Sequence, residues 1–260
     1  MQPLIAADVV LGLLASTGAA LLRRSLTRRP PADPDDLVAA ADIASALRAW
    51  GAAVLILGLL AISGLPGGFD QPLWSAVGNA LEVREALETV RGQGPADFAE
   101  LVLEASARLL ALSDLELDET EARRRVEAAV SDGSAAASWR RWLEAQGGDA
   151  DESALEQAPI VREVVADRSG AVARLGAVRV GVAALHLGAG RRTKDDEIDH
   201  AVGIVCRRKR GDAVDAGDVL AEVHARDDSS AEAAVRAVAA AYELADEAPP
   251  AHPVLLEVIE

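Results

Sequence analysis

No charged residue occurs from position 49 to position 69, and the chain turns strongly acidic immediately afterwards. A run of 21 such residues can cross a bilayer, which takes about 20 apolar residues. A second uncharged run, 9–22, is short for a span. It also lacks the preceding basic residues and the cleavage site of a signal peptide, because Arg23 and Arg24 come after it. Two readings stay open: two buried helices of a soluble domain, or membrane association through 49–69. Pro30, Pro31 and Pro34 form a loop between the runs. Residues 1–69 hold five arginines and five aspartates, so the whole net charge of −16 belongs to residues 70–260. The change of character marks a boundary near Phe69-Asp70.

That acidity excludes a protein that grips DNA or RNA through phosphates, which needs a basic face. Seven aromatic residues in 260 leave little for stacking on bases. The single cysteine, Cys206, rules out a disulfide scaffold and a cysteine-based zinc cluster, and it fits a reducing, cytoplasmic compartment. Only Lys194 and Lys209 are lysines, so no mechanism that needs several lysines is available.

Beyond residue 70 the pattern is helical, then mixed. Asn79 is placed to cap a helix over 80–91, closed by Gly92 and Gly94. Pro95 sits at a first-turn position of the next helix. Phe98, Leu101, Val102, Ala105, Leu109 and Leu112 follow at helical spacing as one apolar face. Asp118-Glu119-Thr120-Glu121 is a capping-box variant opening a helix to Val130. Another helix over 134–146 ends at Gly147-Gly148 and carries Trp139 and Trp142, read as core contacts. Short β-branched runs at 161–166, 171–175, 201–206 and 219–223 predict an antiparallel assembly. Gly211-Asp212 and Gly217-Asp218 place two turns around Val214. A last helix over 231–244 follows Ser229-Ser230 as candidate caps. The fold class expected is α+β: helices, then a small α+β domain with a twisted, mainly antiparallel sheet.

Composition and spacing alone name no chemistry. His186, His200, His224 and His252 show no metal spacing and no adjacent nucleophile, and are read as surface or structural. Leu187-Gly188-Ala189-Gly190-Arg191 lacks the rest of a dinucleotide fingerprint and the Walker lysine-serine, so it reads as a helix end and turn. The run Arg207-Arg208-Lys209-Arg210 lacks the flanking pattern of a biotinyl or lipoyl carrier lysine and reads as a solvated strand end.

Longer stretches carry a family likeness. Asp70-Gln71-Pro72-Leu73 with Ala76-Val77-Gly78-Asn79-Ala80-Leu81-Glu82-Val83 resembles the signature region of thymidine and pyrimidine-nucleoside phosphorylases. The likeness continues through Ala145-Gln146-Gly147-Gly148-Asp149-Ala150, the 187–191 loop, 199–204, and the two turns at 211–218. It covers about 70–260, roughly the C-terminal half of a family member. The resemblance implies a central-domain remnant over 70–150 and the family's C-terminal domain over 153–260, after an unaligned segment 1–69. It implies reversible phosphorolysis of a pyrimidine nucleoside to the free base and a pentose 1-phosphate, with nucleoside and phosphate as partners. Such a site must hold a phosphate in line with the anomeric carbon and stabilise charge on the leaving base.

Family members do so with a Lys-His-Ser motif, Ser/Thr-bearing glycine loops, and an arginine, a serine and a lysine on the base. None of these aligns here, and Lys-His-Ser occurs nowhere in the 260 residues. No catalytic or substrate-binding residue is therefore assigned, and the chain alone is expected to be inactive. No cofactor is required; the resemblance implies half of a potassium site, its two upstream ligands absent and three remaining: the carbonyls of Leu73 and Ala76 and the carboxylate of Glu85. Hard oxygen donors suit an alkali cation. Glu85 is otherwise an ordinary helix-surface acid. Trp74 stands where the family has glycine and is expected to disturb the turn. The family homodimer, built largely from N-terminal helices not found here, is expected to be lost. Residues 1–69 then read as a frameshifted or mis-started reading frame, or as a fused segment. A non-catalytic, membrane-tethered module is the alternative to an inherited phosphorylase role.

Overall fold

The computed structural model describes residues 71–251 apart from Asp114. Residues 1–69 and His252 lie outside the described residues, and with them the membrane reading of 49–69. Among the described residues no helix is long and apolar enough to cross a membrane.

A two-residue strand β1 (Ala76–Val77) leads into helix α1 (Asn79–Val90). Helices α2 (Ala96–Ala111), α3 (Glu119–Ser131) and α4 (Ser134–Ala145) follow. Then come β2 (Ile160–Val165), β3 (Gly170–Leu175), α5 (Ala177–Ala184), β4 (Gly203–Cys206) and β5 (Ala213–Val214). Strand β6 (Val219–Ala225), helix α6 (Asp228–Ala239) and β7 (Tyr242–Ala245) complete the order. The class is α+β, with two small antiparallel sheets ordered β1-β4-β6-β2 and β5-β3-β7. Every strand expected from the β-branched runs is present. The two turns around Val214 flank β5, and Gly211 and Gly217 supply the positive φ those turns need.

The core joins both sheets. Val164, Val172, Leu175, Val180, Ile204, Leu220, Val223 and Val238 are at most 3% exposed and form one cluster with alanines of α5 and α6. Helix α6 packs on β2 and β6, and its alanines 231 and 234 and Val238 let it sit close to the strands.

The helical part follows its local signals with corrections. Asp118 caps α3, its carboxylate accepting from the Glu121 N–H at 2.8 Å. The reciprocal half of the box is replaced: the Glu121 side chain accepts from Arg124 and Arg125 instead. Asn79 does not cap α1, whose N-cap position is Gly78 with no side-chain bond. Asn79 reaches instead to the Ala189 carbonyl at 2.8 Å. Pro95 is the residue before α2 and not a member of its first turn. The cap of α6 is Asp227 rather than a serine, since it accepts from the Ser230 N–H at 2.8 Å. Trp139 and Trp142 are not core residues, because α4 has no buried residue. Leu112, expected on the buried face of α2, is 84% exposed just beyond that helix.

Strand β1 crosses the expected boundary between 70–150 and 153–260. It pairs with β4 as Ala76↔Val205 and Val77↔Ile204. The first residues after 70 are thereby an edge of the sheet itself.

Candidate functional site

The residues singled out from the family likeness do come together, at the turn that precedes β1. Glu85 on α1 is 5% exposed, so it is no surface acid. Its two oxygens accept the backbone N–H groups of Ser75 at 2.9 Å and Ala76 at 2.5 Å. That geometry ties Ala76 and its neighbour Ser75 to Glu85, with Leu73 two residues earlier in the same turn. Burial pushes the Glu85 carboxyl above its ordinary value, against the lowering effects of the two N–H groups and of Lys209; Asp97 adds to the rise.

Lys209 is what the sequence reading missed. It is not part of a solvated strand end. Its side chain is 13% exposed. Its ammonium donates to the Leu73 carbonyl at 2.9 Å and sits 2.7 Å from the Asp97 carboxylate. The next residue, Arg210, donates its N–H to the Gln71 side chain at 2.8 Å. Trp74 does not disrupt the turn. Its ring packs against Phe98 of α2 with centroids 4.1 Å apart. The one sequence hint of Lys209 is its rarity, since it is one of two lysines in a chain whose other basic side chains are arginines and histidines.

As placed, these residues do not fit a potassium ion. Of the three expected donors, the Leu73 carbonyl already receives an ammonium and both Glu85 oxygens already receive N–H groups. A second cation on the Leu73 oxygen would face the first across a few ångströms of low-dielectric interior. No step of any reaction is derived through such an ion.

Beside this corner a cavity of about 480 Å³ opens between α1 and the sheet, with Leu81, Arg84, Glu88, Val161, Arg207 and His224 among its walls. Arg84 donates to the carbonyls of Leu155 and Glu156, and Arg207 pairs with Glu222 at 2.7 Å. The Nε2 of His224 is buried without a hydrogen-bond partner and lies 3.8 Å from Glu222. Burial lowers the His224 pKa below 6.5, Glu222 opposes that, and Arg207 and Arg84 reinforce it. A histidine with a lowered folded-state pKa binds fewer protons native than unfolded, so its contribution is lost as pH falls from about 6.5. The raised pKa of Glu85 acts oppositely, its contribution being lost as pH rises. We therefore expect the unfolding free energy of His224→Gln to fall less than wild type between about pH 7 and pH 5. Denaturant titrations across that window measure the difference, and parallel curves would refute it.

The remaining candidates stay apart. His186 and His200 are exposed, and the segment Arg191-Arg192-Thr193-Lys194 is exposed beyond the 187–191 turn, held by Asp196. Cys206 is 1% exposed, and burial pushes its thiol up to about 12. As the only thiol of the chain, it is expected to ignore a disulfide reagent until denaturant is added, then to react as one equivalent. Rapid labelling of the native protein would contradict its placement. Among the described residues no group of three or more His, Cys, Asp or Glu side chains could hold a metal ion.

Comparison with known proteins agrees with the architecture. Residues 171–245 match the pyrimidine nucleoside phosphorylase C-terminal domain. The pyrimidine-nucleoside phosphorylase of Geobacillus stearothermophilus is 46% identical over 159 residues, 60% of this chain and 37% of that protein. Those of Bacillus subtilis and Staphylococcus haemolyticus are 44% and 43% identical over 160 and 159 residues. The chain thus spans 37% of the length of these relatives. The C-terminal part of this chain belongs to the pyrimidine-nucleoside phosphorylase family.

Proposed function

We propose that this chain carries the C-terminal scaffold of a pyrimidine-nucleoside phosphorylase, and that its 260 residues alone do not catalyse phosphorolysis. The inherited role is phosphorolysis of pyrimidine nucleosides to base and pentose 1-phosphate. What carries the reading is the 46% identity over 159 residues, set against a sequence without Lys-His-Ser and a site that gathers one lysine, two carboxylates and backbone groups. A phosphate dianion needs several convergent donors in addition to a cation, and Lys209 already spends its charge on Leu73 and Asp97. The chain is assigned to the cytoplasm on its single, reduced cysteine. Phosphate-dependent release of base from thymidine and uridine tests the proposal, with a full-length relative as standard. Fractionation with and without detergent separates it from a membrane-tethered module.

A further inference from the structure

We propose that Lys209 is the resident cation of the turn 71–76, filling with its own ammonium the place that the family likeness gives to an alkali ion. An ammonium hydrogen bond to oxygen has nearly the length of a potassium–oxygen contact, so one can replace the other on a carbonyl. The Lys209 ammonium does so at Leu73, 2.9 Å away, and takes its counter-charge from Asp97 at 2.7 Å.

The surroundings require a positive charge at this point. Glu85 and Asp97 bring two carboxylates to the same corner, and the Asp97 charge raises the cost of ionising Glu85. The Ser75 and Ala76 N–H groups compensate Glu85 only in part. Lys209 brings its ammonium to this corner, paired with Asp97 and favouring the charged form of Glu85, and its stem is enclosed rather than extended into water. Its backbone is fixed from both sides: the Lys209 N–H donates to Asp212 at 2.8 Å, and the neighbouring Arg210 N–H holds Gln71. The turn is thus strung between α1, α2 and the loop after β4. Removing the ammonium would leave the Leu73 carbonyl without its donor and Asp97 without its cation.

For the full 260-residue chain this has two consequences. The wild-type protein is indifferent to the identity of the monovalent cation. Lys209→Met, which keeps the apolar stem and deletes the charge, becomes potassium-dependent. Thermal unfolding in potassium, sodium and tetramethylammonium chloride at equal ionic strength tests both. The wild-type midpoints are expected to agree within about 1 °C. Lys209→Met is expected to fall by about 10 °C in sodium or tetramethylammonium chloride and to regain a saturable share of the loss in potassium. A saturable, potassium-specific rise in the wild-type midpoint would overturn the proposal. So would a folded Lys209→Met variant that potassium does not raise, since a purely structural lysine would give that result. If Lys209→Met does not fold, Asp97→Asn replaces it. That variant leaves the ammonium on Leu73, so its midpoint should drop by a few degrees and remain equal in the three salts. A potassium-specific rise in Asp97→Asn would refute the assignment. These readouts do not depend on activity, so their failure is distinct from failure of the proposed function.

Discussion

Incubated with thymidine or uridine and inorganic phosphate, the purified 260-residue chain is expected to release base at least about 10⁴-fold more slowly than a full-length pyrimidine-nucleoside phosphorylase. The size of the effect reflects what phosphorolysis demands. Phosphate must be held in line with the anomeric carbon, and negative charge must be met as it develops on the departing base. Each preorganised donor removed from such a site costs about 10²–10³ in rate, so losing two already reaches the stated bound. The two lysines of the chain cannot supply the missing set. Lys209 is bound to Leu73 and Asp97, and Lys194 lies in an exposed segment with no histidine beside it. The ultraviolet change on converting thymidine to thymine measures the rate, and omission of phosphate gives the blank. Phosphate-dependent release within about a hundredfold of the relative would defeat the expectation. The search for catalytic groups would then begin at His186, Arg191 and Lys194.

Local and long-range information are unequally legible in this chain. Signals confined to a few neighbouring residues are readable. Asp118 as a cap, β6 as a short β-branched run and Val214 between two turns each depend on contacts within a short stretch, where propensity applies. The corner at 71–76 is different in kind. The hydrogen bonds from Lys209 to Leu73 and Asp97 join residues 136 and 112 positions apart. No local pattern encodes such a pairing, and a lysine between arginines resembles any solvated basic run. Glu85 shows the same limit. Nothing in its own helix distinguishes it from Glu82 or Glu88, and its burial comes from the turn folding back onto α1. Strand β1 is unreadable because two residues carry no period, so the sheet order depends on a partner found only in three dimensions. The family likeness reaches that corner where periodicity cannot, by pointing to Leu73, Ala76 and Glu85. It does not reveal that Lys209 stands among them.

Gly78→Ala is expected to lower the unfolding midpoint of the chain by about 10 °C or more, from a loss of about 3 kcal/mol or more. Two independent costs meet at this residue. Its φ is 149°, a conformation open to glycine and strained for alanine. A Cβ there would also stand 2.5 Å from the Val202 carbonyl oxygen and 2.8 Å from the Gly203 Cα, both backbone atoms that cannot swing aside. The crowding is mutual, since a Cβ on Gly203 would meet the Val77 oxygen at 2.5 Å and the Gly78 Cα at 3.0 Å. The two glycines are where the turn from β1 into α1 crosses the start of β4, and their missing side chains set that crossing distance. Widening it pulls β1 off β4 and α1 away from the sheet, and so loosens Glu85 from Ser75 and Ala76. Gly181→Ala supplies the contrast. It lies on α5, where a Cβ meets nothing within 4 Å, and the better helix former should stabilise by up to about 1 kcal/mol. Thermal scans of both variants under one buffer decide the matter. If Gly78→Ala unfolds within about 2 °C of wild type, the close crossing of β1–α1 over β4 is not what holds the first residues of the phosphorylase-like part to its sheet.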